Sequence, residues 1–233
     1  TRKLCTWYVN LGSDLKENLS FISKTVALSS GGLDAVNHGF EQTRARLGVS
    51  SLYGLLIHDA ADLLGPDGNA LWRKLQHFKS EGQVNRIGVS VYSVDSALEM
   101  SKRFPLDIIQ VPLSIFDQRL VVDDTLLRLK ESGVEVHARS IFLQGIILSA
   151  PDDLPPLLTP ARAILSRYHQ LLSKYGVTPL QAALAFPLTH KAIDSIVLGI
   201  DNMTMLRQII EVMSQPLPQL NFSEFAIEND FVC

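Results

Sequence analysis

Polar side chains follow a series of short apolar runs in this sequence, at the positions where each run ends. In the clearest case, residues 53–60, apolar residues lead directly into His58 and Asp59. A short apolar run between turn residues is typical of a strand buried on both faces of a parallel sheet. Folds of the α/β class place catalytic groups at the carboxyl ends of such strands. The polar residues at successive run ends are Lys24, His58, Ser90, Gln110 and Ser140.

The elements that must position these side chains alternate along the chain. Strands are predicted at 21–25, 53–59, 87–92, 107–112, 135–140 and 195–200, at intervals of about thirty residues. Apolar residues at helical spacing predict helices over about 34–47, 69–82, 93–103, 123–131, 160–175, 179–189 and 203–213, with Asn69, Ser93 and Thr178 as N-caps. Alternating strands and helices indicate a parallel sheet with right-handed crossovers.

Two architectures fit this alternation, a doubly wound sheet and a (β/α)8 barrel. The early strands are not followed by Gly-x-Gly-x-x-Gly, which weakens the dinucleotide-binding doubly wound reading. Polar residues at successive strand ends favour a TIM barrel, whose active face collects them. The proline-rich segment 141–159 is expected to form a loop over the mouth of that barrel.

Composition limits the classes of partner. The chain has 233 residues, of which 46% are hydrophobic and 19% charged, with a formal net charge of −3. These values fit one domain over residues 1–233, with an atypical segment at 1–19. The absence of a basic stripe argues against nucleic acid, and the apolar runs are too short to span a membrane. The first twenty residues do not resemble a secretory signal.

Cysteine and histidine usage predicts no metal site. Only Cys5 and Cys233 are present, and neither a disulfide framework nor Cys/His zinc spacing is indicated. A cytoplasmic protein in a reducing compartment is therefore expected, with a Cys5–Cys233 bridge as the open alternative.

Several segments in order resemble the aldo-keto reductase superfamily. They begin with Leu-Leu-Ile-His-Asp at 55–59 and continue with Lys-Ser-Glu-Gly-Gln-Val-Asn-Arg-Ile-Gly-Val-Ser at 79–90. The likeness extends through 107–112, 140–145, 179–184 and 196–199, and covers about residues 20–213. The stretches starting at Asp117 and Arg139 are similar to a bacterial subgroup often found with surface-sugar synthesis. The resemblance implies a barrel that transfers hydride between NAD(P)H and a carbonyl compound.

The resemblance also implies catalytic roles for Lys24 and His58. In the family a Tyr donates a proton, a Lys lowers the pKa of that Tyr, an Asp pairs with the Lys, and a His orients the carbonyl. A phenol with an ordinary pKa near 10 needs a neighbouring cation to act near neutral pH. A neutral imidazole can donate a hydrogen bond where charge develops on the carbonyl oxygen.

Residues that contact the cofactor in the family are matched in part. The resemblance places Ser90 and Gln110 at the nicotinamide carboxamide, and Arg139 where an aromatic ring normally stacks. The Asp201 carboxylate would repel the 2′-phosphate, which NADP carries and NAD lacks. Both NADP and NAD therefore stay open as cofactors. The cofactor-binding residues implied by the resemblance are Ser90, Gln110, Arg139, Ser140, Leu143, Gly145, Gly199 and Asn202.

The family's Asp and Tyr motif has no match in this sequence. Tyr8 lies four residues before Gly12, which is closer than the family spacing, and no Asp precedes it. We therefore expect an aldo-keto reductase barrel that is missing or rebuilding its first one or two strands, because an open barrel would leave exposed edges. Three explanations fit the missing Asp and Tyr motif. They are a truncated N-terminus, residues missing between Val9 and Leu11, and repair of the barrel by residues 1–19 or through a dimer.

Each candidate residue also has a structural interpretation. His58 could be a hydrogen-bonded core histidine, and Lys24 an exposed strand lysine. Gln110 could satisfy backbone groups inside the barrel. Arg139 could form an ion pair with Glu135 or Asp107.

Three hypotheses about the function follow. The first is an oxidoreductase that acts on an aldehyde, a ketone or a sugar-like carbonyl compound, as a monomer or homodimer. The second is a non-catalytic relative that binds the cofactor or regulates a partner after loss of the Asp and Tyr. A third is a different barrel enzyme that uses His58 and Asp59 in another way.

Overall fold

In the computed structural model, residues 19–227 are described, so Tyr8, both cysteines and most of the atypical segment 1–19 lie outside the described part. The strands are β1 (Ile22–Lys24), β2 (Leu52–Ile57), β3 (Val84–Ser90), β4 (Ile108–Pro112), β5 (Glu135–Arg139) and β6 (Ser195–Ile196). The helices are α1 (Gly32–Leu47), α2 (Ala61–Leu64), α3 (Gly68–Ser80), α4 (Val94–Arg103), α5 (Arg119–Val122), α6 (Thr125–Glu131), α7 (Arg162–Tyr175), α8 (Pro179–Leu188) and α9 (Met203–Met213). Short 3₁₀ turns lie at Leu28–Ser30, Leu143–Leu148, Pro151–Asp153, Pro156–Ala161 and Phe222–Phe225.

All six predicted strands are present, and strand order in the sheet follows the chain from β1 to β6. The strand predicted at 195–200 is shorter than expected. Its pairing with β5 ends with the hydrogen bond from Val197 N to Ala138 O at 2.7 Å. The helices alternate with the strands, and the pairs β1–β2, β2–β3, β3–β4 and β5–β6 are parallel.

Two of the three predicted N-caps are confirmed. The Ser93 hydroxyl accepts a hydrogen bond from Ser96 N, and Thr178 forms a capping box with Gln181. The Asn69 prediction was wrong because α3 begins one residue earlier, at Gly68. The helix predicted over 123–131 corresponds to α6, which begins at Thr125 after Asp124, whose φ is +58°, while the separate helix α5 ends before the predicted range.

The chain divides into two compact units. The first comprises Thr1–Gln110 and Gly133–Glu135, and the second comprises Val111–Ser132 and Val136–Cys233. Strand β4 begins in the first unit and ends in the second. The expectation of a single domain over 1–233 stays a prediction.

In the first unit, helix α3 covers one face of the strands. Its residues Leu71, Trp72, Leu75 and Phe78 are buried, which confirms the predicted apolar stripe. The Phe78 ring stacks on Phe40 of α1 at a centroid distance of 4.2 Å. Burying side chains of this size contributes about 1.5–3 kcal/mol each, so this contact holds α1 and α3 together.

Ionic contacts tie together the amino ends of the strands in the first unit. The Asp107 carboxylate accepts from Lys79 Nζ at 2.7 Å and from Ile87 N at 2.8 Å, which joins α3, β3 and β4. Glu135 accepts from Tyr53 Oη at 2.7 Å and pairs with Arg86 at 3.2 Å. The hydrogen bond to the Glu135 carboxylate raises the pKa of Tyr53, because ionising the phenol would place two negative charges together.

In the second unit, the segment after β4 is held by its own side chains. Ser114 Oγ accepts from Asp117 N at 3.0 Å, and buried Asp117 forms a bidentate pair with Arg119 at 2.8 Å. Gln118 Nε2 donates to Phe222 O at 2.7 Å. These bonds connect the segment to residues near the carboxyl end of the described chain.

No helix among residues 19–227 is both long enough and apolar enough to cross a membrane.

Gly88→Ala is expected to lower the free energy of unfolding by about 3 kcal/mol or more, because its Cβ would lie 1.7 Å from the carbonyl oxygen of Ile108. Urea denaturation followed by circular dichroism measures this loss. The matched control is Gly65→Ala, whose Cβ would meet its nearest atom at 3.8 Å. A loss of less than about 1 kcal/mol for both variants would show that β3 and β4 can separate without cost.

Candidate functional site

The register of the first unit places four of the expected residues on one side of its strands. Lys24 is the partner of Leu56, Leu56 is the partner of Gly88, and Ser90 is the partner of Gln110. Side chains two residues apart on a strand point to the same side. His58 follows Leu56 by two positions, so it shares that side, at the carboxyl ends of the strands.

Lys24 and Ser90 are in direct contact across the strands. Lys24 Nζ donates to Ser90 Oγ at 3.1 Å. Lys24 is half-buried and Ser90 is fully buried. An ammonium group in this position presents its charge at the strand ends instead of extending into solvent, so the alternative of an exposed strand lysine does not hold.

His58 lies just beyond the end of β2, and its residue is exposed. Its backbone N–H donates to Thr25 Oγ1 at 3.3 Å, and Thr25 is buried. The imidazole is therefore not a core histidine, and it is accessible to a ligand at the strand ends. The sequence analysis did not identify Thr25. The signal for it was a hydroxyl-bearing residue directly after Lys24, at the end of an apolar strand.

Asp59, next to His58, caps the following turn. Its Oδ1 accepts from Ala61 N at 2.9 Å, at the start of α2. Asp62 accepts from Leu28 N at 3.1 Å, which fixes the turn that follows β1. Each carboxylate thus accepts a hydrogen bond from a backbone N–H group. The local bond of Asp59 gives no support to a mechanism that uses the His58 and Asp59 pair.

Gln110 is buried, and its backbone carbonyl accepts from Val91 N at 2.9 Å. Its side-chain amide makes no hydrogen bond with any residue in the described range 19–227. The amide of Gln110 therefore does not satisfy backbone groups there, contrary to the structural alternative. The amide offers both a donor and an acceptor to a polar ligand group at this position.

Three of the expected residues of the second unit, Ser140, Leu143 and Gly145, lie in a strained turn after β5. Ser140, Leu143, Gln144 and Gly145 all have positive φ, at 61°, 45°, 56° and 92°. Left-handed backbone at non-glycine residues costs about 1–3 kcal/mol each and is concentrated at functional sites. The Leu143 and Gly145 N–H groups donate within the turn, to Ser140 O and Phe142 O, each at 2.9 Å.

Arg139 lies at the entrance to this turn. Its Nη1 donates to Ser140 Oγ at 3.0 Å, and its side chain is partly exposed. The hydrogen bond orients the planar guanidinium relative to the turn. A guanidinium can stack on a flat ring, as the sequence analysis expected for this position.

Gly199 and Asn202 lie between β6 and α9. Asn202 is the N-cap of α9, and its Oδ1 accepts from Met205 N at 2.9 Å. Gly199 is exposed, and a Cβ there would meet no atom within 4 Å. The helix terminus favours an anion, but Asp201 places an exposed carboxylate directly before it.

Asp194 fixes β6 in place. Its carboxylate accepts from Lys130 Nζ and, at 2.9 Å, from Val136 N. Burial raises the pKa of Asp194, but the bonds from Lys130 and Val136 outweigh it, so the pKa lies below its ordinary value. The carboxylate joins α6, β5 and the start of β6, which precedes the Gly199 loop.

Within the described part of the chain, no three His, Cys, Asp or Glu side chains form a group that could bind a metal ion.

Residues 25–228 match the family model described as the aldo/keto reductase family. This match covers most of the chain, which therefore belongs to the aldo/keto reductase family, a family of oxidoreductases. It begins one residue after Lys24.

Individual relatives agree with this membership. The chain is 26% identical over 204 residues to pyridoxal 4-dehydrogenase of Microbacterium luteolum, which covers 79% of this chain and 59% of that protein. The chain thus spans less than two thirds of this curated relative. Among solved structures, it is similar to the aldo-keto reductase AKR11C1 from Bacillus halodurans in its holo form, with a TM-score of 0.72 and 16% identity, over 92% of this chain and 75% of that one. The fold is thus of the aldo-keto reductase (β/α) barrel type.

Asp194→Asn is expected to lower the free energy of unfolding by about 1 kcal/mol at neutral pH, because Lys130 and Val136 N lose a charged partner. The pKa of Asp194 is lower in the folded chain than in the unfolded chain. The stability that the Asp194 charge contributes is therefore complete at a pH above 3.8, the ordinary pKa of the group. That stability is lost as the pH falls through the lower pKa of the folded chain.

Urea denaturation of both proteins between pH 6 and 3 measures this difference. The stability gap between the wild type and the variant should narrow toward the acid end. The control is Asp153→Asn, an exposed carboxylate elsewhere in the same unit. A gap that is constant over this range would mean that the Asp194 charge is not what stabilises β6.

Proposed function

We propose that this protein is an oxidoreductase that transfers hydride between NAD(P)H and a carbonyl compound, with Lys24 and His58 in its active site. The supporting observation is the contact of 3.1 Å between Lys24 Nζ and Ser90 Oγ, with exposed His58 on the same side of the strands, in a chain of the aldo/keto reductase family. A cation and an imidazole at strand ends are suited to stabilising charge on a carbonyl oxygen.

The two side chains are proposed to assist the reaction in different ways. The nicotinamide cofactor supplies the hydride when it is bound. His58 donates a hydrogen bond to the oxygen as negative charge develops, and its position is fixed through Thr25. Lys24 provides a positive charge that favours the ionised form of a neighbouring acid and so assists proton transfer.

The proposed contacts to the cofactor are assigned within each unit. In the first unit, the hydroxyl of Ser90 and the unbonded amide of Gln110 suit a carboxamide, which offers both a donor and an acceptor. In the second unit, Arg139 and Ser140 are assigned to the nicotinamide, and Leu143 and Gly145 to the pyrophosphate. Gly199 and Asn202 are assigned to the adenosine half.

The substrate is proposed to be a small aldehyde, ketone or sugar-like carbonyl compound. The curated relative is named for pyridoxal, an aldehyde on a pyridine ring. That compound therefore belongs in a test panel beside aliphatic aldehydes and aldose sugars.

Lys24→Met and His58→Ala are expected to lower kcat/KM by about a hundredfold or more, because the first removes the charge that assists proton transfer and the second removes the hydrogen bond to the carbonyl oxygen. Turnover of the carbonyl panel with NADPH and with NADH is followed by the absorbance of the reduced nicotinamide. Exposed residues of the same types supply matched controls, Lys102→Met and His77→Ala, which should retain activity.

Titration of intrinsic fluorescence with each dinucleotide separates binding from chemistry. If both variants turn over the carbonyl compounds at the wild-type rate, Lys24 and His58 do not take part in the reaction. Saturable binding of the dinucleotide without turnover of any carbonyl would instead favour the non-catalytic, cofactor-binding alternative.

Asp201→Asn is expected to increase the affinity for NADPH by about three- to tenfold and to change the affinity for NADH less than about twofold, because only NADPH has a 2′-phosphate for the carboxylate to repel. Calorimetric titration with both dinucleotides tests this. Glu211→Gln, at the opposite end of α9, controls for the loss of one negative charge. An equal change for both dinucleotides would exclude Asp201 as a determinant of cofactor choice.

A further inference from the structure

The second unit contains a pocket of about 310 Å³, formed entirely by residues of that unit. This volume lies at the small end of the range of ligand sites, about 300–1,000 Å³. Helix α7 provides one wall through Ile164, Arg167, Tyr168 and Leu171, whose spacing places them on one face. The segment after β4 and residues 224–227 provide the other walls.

The apolar walls are aromatic and are fixed in place. The Tyr168 ring contacts Phe116 at a centroid distance of 5.0 Å and Phe225 at 5.7 Å, each edge to face. Tyr168 is buried, and its hydroxyl donates to Pro179 O at 3.3 Å. Rings at these distances and angles are in favourable contact, so the aromatic surface exists before any ligand binds.

Backbone bonds connect the walls to one another. Ile227 N donates to Phe116 O at 3.2 Å, and Gln118 Nε2 donates to Phe222 O at 2.7 Å. The segment that carries Glu224 and Phe225 is therefore attached at both of its ends to the segment after β4. A pocket attached in this way loses little conformational entropy on binding.

Two charged side chains line the pocket, and their bonding differs. The Arg167 guanidinium carries five N–H donors and makes no hydrogen bond or ion pair with any residue in the described part of the chain. Glu224 Oε1 already accepts from Asn221 Nδ2 at 2.9 Å and from Tyr175 Oη at 3.5 Å. Of the two charged side chains, Arg167 is therefore the one at which we expect a ligand to bind, and that ligand would be an anion.

We propose that this pocket binds a small monocarboxylate with an aromatic or branched aliphatic body. The carboxylate pairs with the two parallel N–H donors of Arg167, and the body lies against Phe116, Tyr168 and Phe225. A planar guanidinium selects a carboxylate, which matches its fork geometry, over a neutral amide of the same shape. None of the lining residues belongs to the sets assigned to hydride transfer, so this site stands apart from the proposed function.

The experiment compares phenylacetate with phenylacetamide, which has nearly the same shape and no charge. Saturation-transfer NMR and calorimetry on the full chain give the two dissociation constants. The wild type should prefer phenylacetate by about fivefold or more, a modest factor because Arg167 is exposed. Arg167→Gln should abolish the preference, whereas Lys174→Gln, an exposed cation on the same helix, should retain it.

Two further variants sharpen the test. Glu224→Gln should strengthen binding of phenylacetate by about two- to threefold and leave phenylacetamide unchanged, because it removes a like charge. Ile164→Trp should weaken both compounds by filling the pocket. Thermal melting of each variant checks that the fold is intact.

Four outcomes would overturn the proposal, and the first three concern the wild type and Arg167→Gln. One is equal affinity of the wild type for both compounds, and another is an unchanged preference in Arg167→Gln. The third is the absence of saturable phenylacetate binding at millimolar concentrations. A preference lost equally in Lys174→Gln would also overturn it, since the cause would then be the general charge of α7 and not the pocket.

Discussion

The close approach of β3 and β4 at Gly88 is the constraint on which the proposed site in the first unit depends. The carbonyl of Ile108 occupies the space where any other residue would have its Cβ. This approach brings Ser90 beside Gln110 in the register, two residues further along each strand. With a wider spacing, the buried hydroxyl and amide would not present one polar surface. A backbone contact thus determines where two polar side chains meet.

Lys24 depends on the same register. Its ammonium group reaches Ser90 because β1, β2 and β3 are parallel and aligned at Lys24, Leu56 and Gly88. His58 is fixed separately, through its backbone and the buried Thr25 hydroxyl, which leaves the ring exposed. The site therefore combines a charge held by neighbouring strands with an imidazole oriented by its own backbone. In the proposed function, both groups are therefore placed before substrate arrives.

Much of the fold was predictable from local patterns. Apolar runs located all six strands, and apolar spacing located the long helices, because burial imposes the period of each element directly on the sequence. Ser93 and Thr178 were recognised as caps for the same local reason. The prediction failed at Asn69, since α3 begins at Gly68, and at the end of β6, whose pairing with β5 ends at Val197. The alternation of strands and helices, with the ordered segments at 55–59 and 79–90, also led to the correct family.

What the sequence determined by itself was the order of the elements and the types of polar residue at their ends. These follow from periodicity and propensity, which act over a few residues. Only the tertiary structure decided which of those residues meet, that Asp59 serves as a cap, that Thr25 positions His58, and that a turn with four positive φ values follows β5. It also formed the pocket around Arg167 from segments more than a hundred residues apart in the chain. Such contacts depend on strand register and helix packing, which join residues distant in the chain and leave no periodic signal.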